Sequence, residues 1–310
     1  MSLLNRVFGA PPAVAAPKSS KSLIIVPLAE AALPQETWLR EELAKPIHKF
    51  RHFSREKTNQ AIKQLLARDP SQDREAADSV LNMLAPINLS GCKSESQNVS
   101  LTLAGLRDGV EAELGFATIG LMPTPIPGRE LYDACARSWR WPEAAVALRP
   151  HSHHWVIVVV TSTTPFQNAS ISLRLLAVLS CFPAFLGAYF GSSGLVHSPA
   201  FLQAREDSDA STSPVNYWVN MATVAHEDGT HTFYTRGLSQ FNAPEIEIVR
   251  SRLAYEPLYE RGRGLAAYVM KAGPVLRHGD TIGATTAEKV QVRHEPSTFN
   301  PEQIVCRVYL

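Results

Sequence analysis

His151-Ser152-His153-His154-Trp155-Val156-Ile157-Val158-Val159-Val160 joins a cluster of histidines to the most strand-like run in the chain. The six residues from Trp155 to Val160 are all apolar and rich in Val and Ile, which predicts a strand buried on both faces. A rigid sheet commonly holds functional groups at its strand ends, so the histidines leading into this run form a candidate site.

Reading outward from this strand, periodicity places elements on both sides. Upstream, Val99–Leu103 alternates as a half-buried strand and Glu113–Ile119 gives another. The proline-rich loop Met122–Pro127 then leads into a helix from Gly128 to Trp141, with Leu131, Cys135 and Trp139 on one side. Strand, helix, strand in that order predicts a right-handed crossover. Downstream, a helix over Ala169–Ser180 and a strand over Leu186–Phe190 make a second such unit. Tyr217–His226 and His231–Arg236 flank Glu227-Asp228-Gly229-Thr230, a strong hairpin signal. A short strand at Ile246–Ile248, a helix over Pro257–Lys271 stopped by Gly273-Pro274, and strands at Val290–His294 and Ile304–Leu310 complete the chain.

The N-terminal part reads differently. Leu23–Leu28 is a first strand, and Trp38, Leu39, Leu43 and Ile47 recur at helical spacing, as do Ile62, Leu65 and Leu66, and then Val80, Leu81 and Leu84. The basic stretch from Lys45 to Lys63 is most simply a solvated helix face. The expected fold is α+β: a mixed, mainly antiparallel sheet with helices packed on it, built of strand–helix–strand units and hairpins, with an N-terminal helical section. The expected organisation is a disordered tail over 1–21, a strand and helices over 22–97, and an α+β domain over 98–310.

Composition narrows the function classes. The chain has 310 residues and a net charge of +1, so no global field favours nucleic acid or an acidic membrane. Cys92, Cys135, Cys181 and Cys306 form no CxxC pair, which argues against structural zinc or a disulfide framework and fits a reducing cytoplasm. Ile171–Phe190 is the most apolar stretch, but Arg174 and Pro183 interrupt it, so a buried helix turning into a strand is expected rather than a transmembrane segment.

Several residues could carry chemistry. His151 and His154 could share a divalent metal in a turn, with Glu245 or Glu247 adding an oxygen ligand; no helical histidine metal motif is present. The alternative is structural, with His154 hydrogen-bonded inside the fold and His151 and His153 facing solvent. Alternation puts Glu245 and Glu247 on one strand face, as an acid–base pair or as solvated guards of an edge strand. Trp139 and Trp141 are either core fillers or contacts for a partner. Gly191-Ser192-Ser193-Gly194 lacks a nucleophile elbow and a phosphate-loop Lys, so it reads as a plain turn; Asp280 is expected to cap its own turn.

From about Gly109 to the end, the chain resembles a bacterial family known as domain of unknown function 4261. The resemblance rests on Ile126-Pro127, Trp141-Pro142-Glu143-Ala144, His151-Ser152-His153-His154, Gly237-Leu238 and Pro244-Glu245-Ile246-Glu247. It continues through Tyr268, Gly273-Pro274-Val275, Gly279-Asp280-Thr281-Ile282-Gly283, and Val292-Arg293 ahead of Pro296-Ser297. The family's histidine motif, two histidines separated by two residues, maps onto His151 and His154 and leaves His153 as a departure. The resemblance implies no reaction; some genes of this type lie beside secretion and toxin systems.

The resulting expectation is a non-catalytic cytoplasmic protein that binds another protein, in a toxin-neutralising (immunity) or secretion-associated role, with no nucleic acid and no cofactor. The binding candidates are His151, His154, Trp139, Trp141, Glu245 and Glu247. The alternative is a metal-dependent hydrolase using His151 and His154 with Glu245 or Glu247. A weaker third reading is a small-molecule module with a pocket between sheet and helices.

Overall fold

The computed structural model describes residues 20–45, 88–107, 110–203, 214–283 and 288–310. The helical periodicities around Ile62 and Val80, most of the basic stretch and residues 1–19 of the expected tail lie outside these residues, while Ser20 and Lys21, also expected in the tail, belong to the first strand. The described residues form two compact units. Residues up to Gly191, with the stretch from Leu195 to Gln203, make the first; Ser192–Gly194 and the chain from Pro214 onward make the second.

The first unit is built on a seven-stranded antiparallel sheet. Its strands are β1 (Ser20–Leu28), β2 (Asn88–Ser94), β3 (Asn98–Arg107), β4 (Val110–Met122), β5 (His153–Thr161), β6 (Ala188–Phe190) and β7 (Leu195–His197), in spatial order β2-β3-β4-β5-β1-β6-β7. The helices of this unit are α1 (Glu36–Ala44), α2 (Glu130–Ala136), α3 (Ala144–Ala147), α4 (Pro165–Leu179) and α5 (Pro199–Gln203). The expected helix from Gly128 to Trp141 is therefore shorter, ending at Ala136, and a separate short helix follows at Ala144–Ala147.

β5 is central, but it is not buried on both faces. Trp155, Ile157, Val159 and Thr161 are buried, whereas Val156, Val158 and Val160 are only half-buried. The covered face meets α4; on the other face Leu23 and Phe116, which is 50% exposed, stay open to solvent. The expected right-handed crossover from β4 to β5 is overturned too. These strands pair directly and antiparallel, from Gly115↔Thr161 to Met122↔His154, and crossover handedness applies only to parallel strands. The second expected strand–helix–strand motif holds. β5 and β6 each lie antiparallel to β1, so they run parallel to one another with β1 between them and α4 connecting them.

α4 is buried almost throughout, which explains its nearly continuous apolar sequence. Thr164 starts it with a capping box: its Oγ1 accepts from Gln167 N at 3.3 Å, and Gln167 Oε1 accepts from Thr164 N at 3.1 Å. Its few polar residues anchor it to the sheet. Asn168 Nδ2 donates to Ser20 O, Val159 O and Thr161 Oγ1 at 3.1–3.2 Å, and Ser22 and Ser172 hydroxyls meet at 2.6 Å. The Asn168, Ser22 and Ser172 side chains are thereby paired, so they specify register between helix and sheet.

The second unit carries α6 (Val215–Trp218), β8 (Asn220–Ala225), β9 (His231–Arg236), β10 (Ile246–Ser251), α7 (Tyr255–Ala272), β11 (Thr281–Ile282), β12 (Val290–Pro296) and β13 (Ile304–Val308). Its sheet runs β11-β12-β13-β10-β9-β8, antiparallel except for the β13–β10 pair. The α+β class with a mixed, mainly antiparallel arrangement thus holds, and the strands divide between two sheets. The β8–β9 hairpin closes over Asp228-Gly229, with Asp228 Oδ1 accepting from Thr230 N and Oγ1. α7 packs on the sheet through Gly262, where a Cβ would lie 2.4–2.5 Å from the Phe233 ring. The helix ends at Gly273, whose φ of 81° suits glycine.

Candidate functional site

The histidine cluster sits where β5 begins. The strand starts at His153, so His153 and His154 point to opposite faces and His151 precedes the pleat. Each ring has a defined proton. His151 Nδ1 lies 2.7 Å from Leu148 O and His154 Nδ1 2.8 Å from Thr124 O; carbonyls only accept, so both nitrogens carry hydrogen. Ser152 Oγ gives its one proton to Ala29 O at 2.8 Å, so the 2.9 Å contact to His153 Nδ1 requires that nitrogen to donate. His154 is thus hydrogen-bonded inside the fold, as the structural reading expects. His151 departs from that reading: it is 7% exposed and its Nε2 is enclosed without a hydrogen-bond partner, beside the Tyr132 ring at 6.3 Å.

Of the two alternatives for Glu245 and Glu247, that of solvated guards on an edge strand is overturned: β10 is an inner strand between β13 and β9, and both carboxylates are buried. Glu245 Oε1 accepts from Gly237 N at 2.8 Å and Ser239 N at 3.2 Å, and its Oε2 from Thr235 Oγ1 at 2.8 Å. Glu247 accepts from Ser297 Oγ, from Thr298 N at 3.0 Å and from Arg307 Nε at 3.4 Å. A buried carboxylate costs free energy unless its lone pairs are satisfied, and these donors satisfy them. Recruiting either group as a metal ligand would strand those donors. Among the described residues, no three His, Cys, Asp or Glu side chains are grouped to hold a metal ion.

The two tryptophans separate. Trp141 packs half-buried against the cluster of Ile126, Leu131, Cys135, Leu148 and Tyr189, and Gly187 leaves room for its ring, since a Cβ there would lie 3.0 Å away. Trp139 is 66% exposed, with the Arg140 guanidinium 4.9 Å from its ring centroid. Tyr132 on α2 and Val146 on α3 are exposed as well. Three large apolar side chains therefore reach solvent from the segment between Tyr132 and Val146.

The other candidate motifs are structural. Gly191–Gly194 is the turn joining β6 to β7, and Asp280 Oδ2 caps its turn by accepting from Arg277 N at 2.8 Å. No disulfide forms between the described cysteines, and burial pushes the Cys135 thiol up to about 11 and the Cys306 thiol up to about 12.

One constellation escaped sequence reading: His226, Thr232, Arg250, Thr298, Arg307 and Tyr309 line a cleft in the second unit. Its organising feature is a bulge at Arg250, an arginine held at φ 46°. Nothing in the residue type announces that conformation.

Residues 234–309 match the family model described as domain of unknown function (DUF4261). The resemblance holds for this C-terminal segment; the motifs around Ile126, Trp141 and His151 lie upstream of it. No curated protein and no solved structure matches the chain.

Proposed function

We propose that the chain is a non-catalytic binding protein whose partner is another protein, docked on the side that carries α2 and α3. The observation that supports this is Trp139, with its indole turned to solvent beside exposed Tyr132 and Val146. Trp and Tyr are the residue types that concentrate binding energy at protein interfaces, because large rigid rings bury much area for little entropy. The supporting helices are short but well anchored: Leu131, Ala134, Cys135 and Ala144 fix them to the core while the opposite residues face out. The resemblance suggests the finer form of this reading, a bacterial immunity or secretion-associated factor working in the cytoplasm. No helix among the described residues is long and apolar enough to cross a membrane.

The test is co-purification of the tagged full chain from its native cells, for wild type and for Trp139→Ala combined with Tyr132→Ala. A partner retained by wild type and lost by the double variant supports the reading; one retained equally by both refutes it.

The metal-dependent hydrolase is the second reading, and one observation favours it. His151 and His154 both donate Nδ1–H to backbone carbonyls, the arrangement that prepares Nε2 for a metal. The engaged oxygens of Glu245 and Glu247 count against it. Titration with zinc, manganese and nickel decides: a saturable stabilisation lost in His151→Ala and His154→Ala would revive it.

A further inference from the structure

The cleft in the second unit measures about 510 Å³, within the range of small-molecule sites. It opens on the face of the sheet opposite α7. Phe233 points at that helix, so its neighbours Thr232 and Tyr234 point the other way. β10 makes a bulge there: Ile248 pairs with Phe233 and Ser251 with His231, leaving Val249 and Arg250 opposite Thr232 alone. Bulges re-aim side chains, and this one sends Arg250 to the cleft wall with its backbone in a left-handed conformation costly for a non-glycine residue. Thr232 Oγ1 braces the bulge, accepting from Arg250 N at 3.2 Å and meeting His226 Nε2 at 2.8 Å.

The second arginine is held more firmly. Arg307 donates from Nε to buried Glu247 and from Nη1 to Glu295, both at 3.4 Å, and from Nη2 to Thr298 Oγ1 at 2.7 Å. Of its five N–H groups, three are so engaged and the Tyr309 hydroxyl lies within hydrogen-bonding reach of the guanidinium as well, so at least one N–H is left. Glu295 is itself fixed by the Tyr309 hydroxyl at 2.6 Å, the foremost cause holding its carboxyl below the ordinary range. Arg250 engages Asp228 through Nη1 at 2.7 Å, and among the described residues no partner takes its remaining N–H groups. Two guanidinium groups therefore line one cleft with donors to spare, and one of them is oriented by a buried carboxylate.

We propose that this cleft binds a carboxylate-bearing ligand, gripped by Arg307 and Arg250. The planar fork of a guanidinium matches a carboxylate or a phosphate. The charge balance selects between them. Asp228, Glu247 and Glu295 already outnumber the two arginines, so the ligand is held by directed hydrogen bonds rather than by net charge, and a phosphate dianion, with both charges on one group, is repelled by Asp228 and Glu295 more than a single carboxylate is. Glu247 is a positioning residue here: it touches Arg307, not the ligand.

The test titrates the full chain, at constant ionic strength and against a chloride control, with acetate, succinate, inorganic phosphate, trialanine and trialanine amide. Binding is read by NMR shifts of Thr298 and Tyr309 and by thermal denaturation. A saturable response to acetate or succinate is expected. A response to trialanine but not its amide would assign the carboxylate to a peptide end; a stronger response to succinate would assign it to a small acid. Arg250→Gly keeps the bulge in the conformation glycine adopts freely, so it is expected to unfold at the same temperature or higher while losing at least tenfold in affinity. No saturable response to any carboxylate, phosphate binding as tightly as succinate, or unchanged affinity in folded Arg250→Gly would each overturn the assignment.

Discussion

Glu245 offers a sharp separation of structure from chemistry. Its carboxylate receives three hydrogen bonds, from Thr235 Oγ1, Gly237 N and Ser239 N. Glu245→Ala strands all three donors in a buried site. At about 1–3 kcal/mol for each unsatisfied donor, with entering water relieving part of the loss, the expected cost is about 3–5 kcal/mol. Glu245→Gln is milder for a specific reason. Its carbonyl can take the Oε1 position and keep both backbone donors. Its amide then faces Thr235 Oγ1, which already accepts from Ile246 N at 2.8 Å and has one lone pair left. Only the threonine hydroxyl proton loses its acceptor, so the cost is expected to fall to about 1–2 kcal/mol. Native-state hydrogen exchange of the β9 and β10 amides reads the second unit alone. An alanine variant within about 1 kcal/mol of wild type, or a glutamine variant as damaged as alanine, would refute the brace and return Glu245 to the pool of ligand-binding groups.

Gly262→Ala sets a gain in helix propensity of about 1 kcal/mol against overlap with three atoms of the buried Phe233 ring, and a net loss of about 2 kcal/mol is expected, recovered by adding Phe233→Leu. Urea unfolding of the single and double variants checks it; a stabilised single variant would show that the ring yields. Thr164→Ala removes the α4 cap and is expected to cost about 1 kcal/mol by the same method, and an unchanged midpoint would count against the capping box. The Asp228 carboxyl is held down at about 2, foremost by the Thr230 hydroxyl and then its amide. A depressed value means stability present above the ordinary carboxylate range of about 4 and lost as pH falls toward 2. An NMR titration should find that low midpoint and a rise in Thr230→Val; an ordinary midpoint in wild type would refute it. Cys306 should react with iodoacetamide at pH 8 only after unfolding.

Local periodicity made most elements legible. Glu227–Thr230 between alternating segments marked the hairpin, and Gly273 marked the end of α7, because turn chemistry and caps act over a few residues. Pairing partners were not legible, since they depend on residues far apart in the chain. That one fact explains three departures. β5 read as doubly buried because Val156, Val158 and Val160 are apolar, yet nothing local states how far a sheet face is covered. Glu245 and Glu247 read as outward because the strand that encloses β10 on one side, β13, is the last in the chain. Trp139 and Trp141 look alike in sequence, and only the space left by Gly187 separates the filler from the exposed ring.

The position of β1 has a consequence for how the molecule is made. It precedes every other described strand, yet both of its neighbours come late, with Ser20 meeting Thr161 across a separation of 141 residues. Folding of such long-range pairings is slow, because chain closure must precede the contacts that reward it. On the ribosome the β2–β4 meander can assemble as it emerges, while β1 waits for β5 and β6 to supply its two edges. Until then Leu23, Ile24, Ile25 and Val26 are an unsatisfied apolar ribbon in the nascent chain. The last stitch of the first sheet is made with thread laid down long before it.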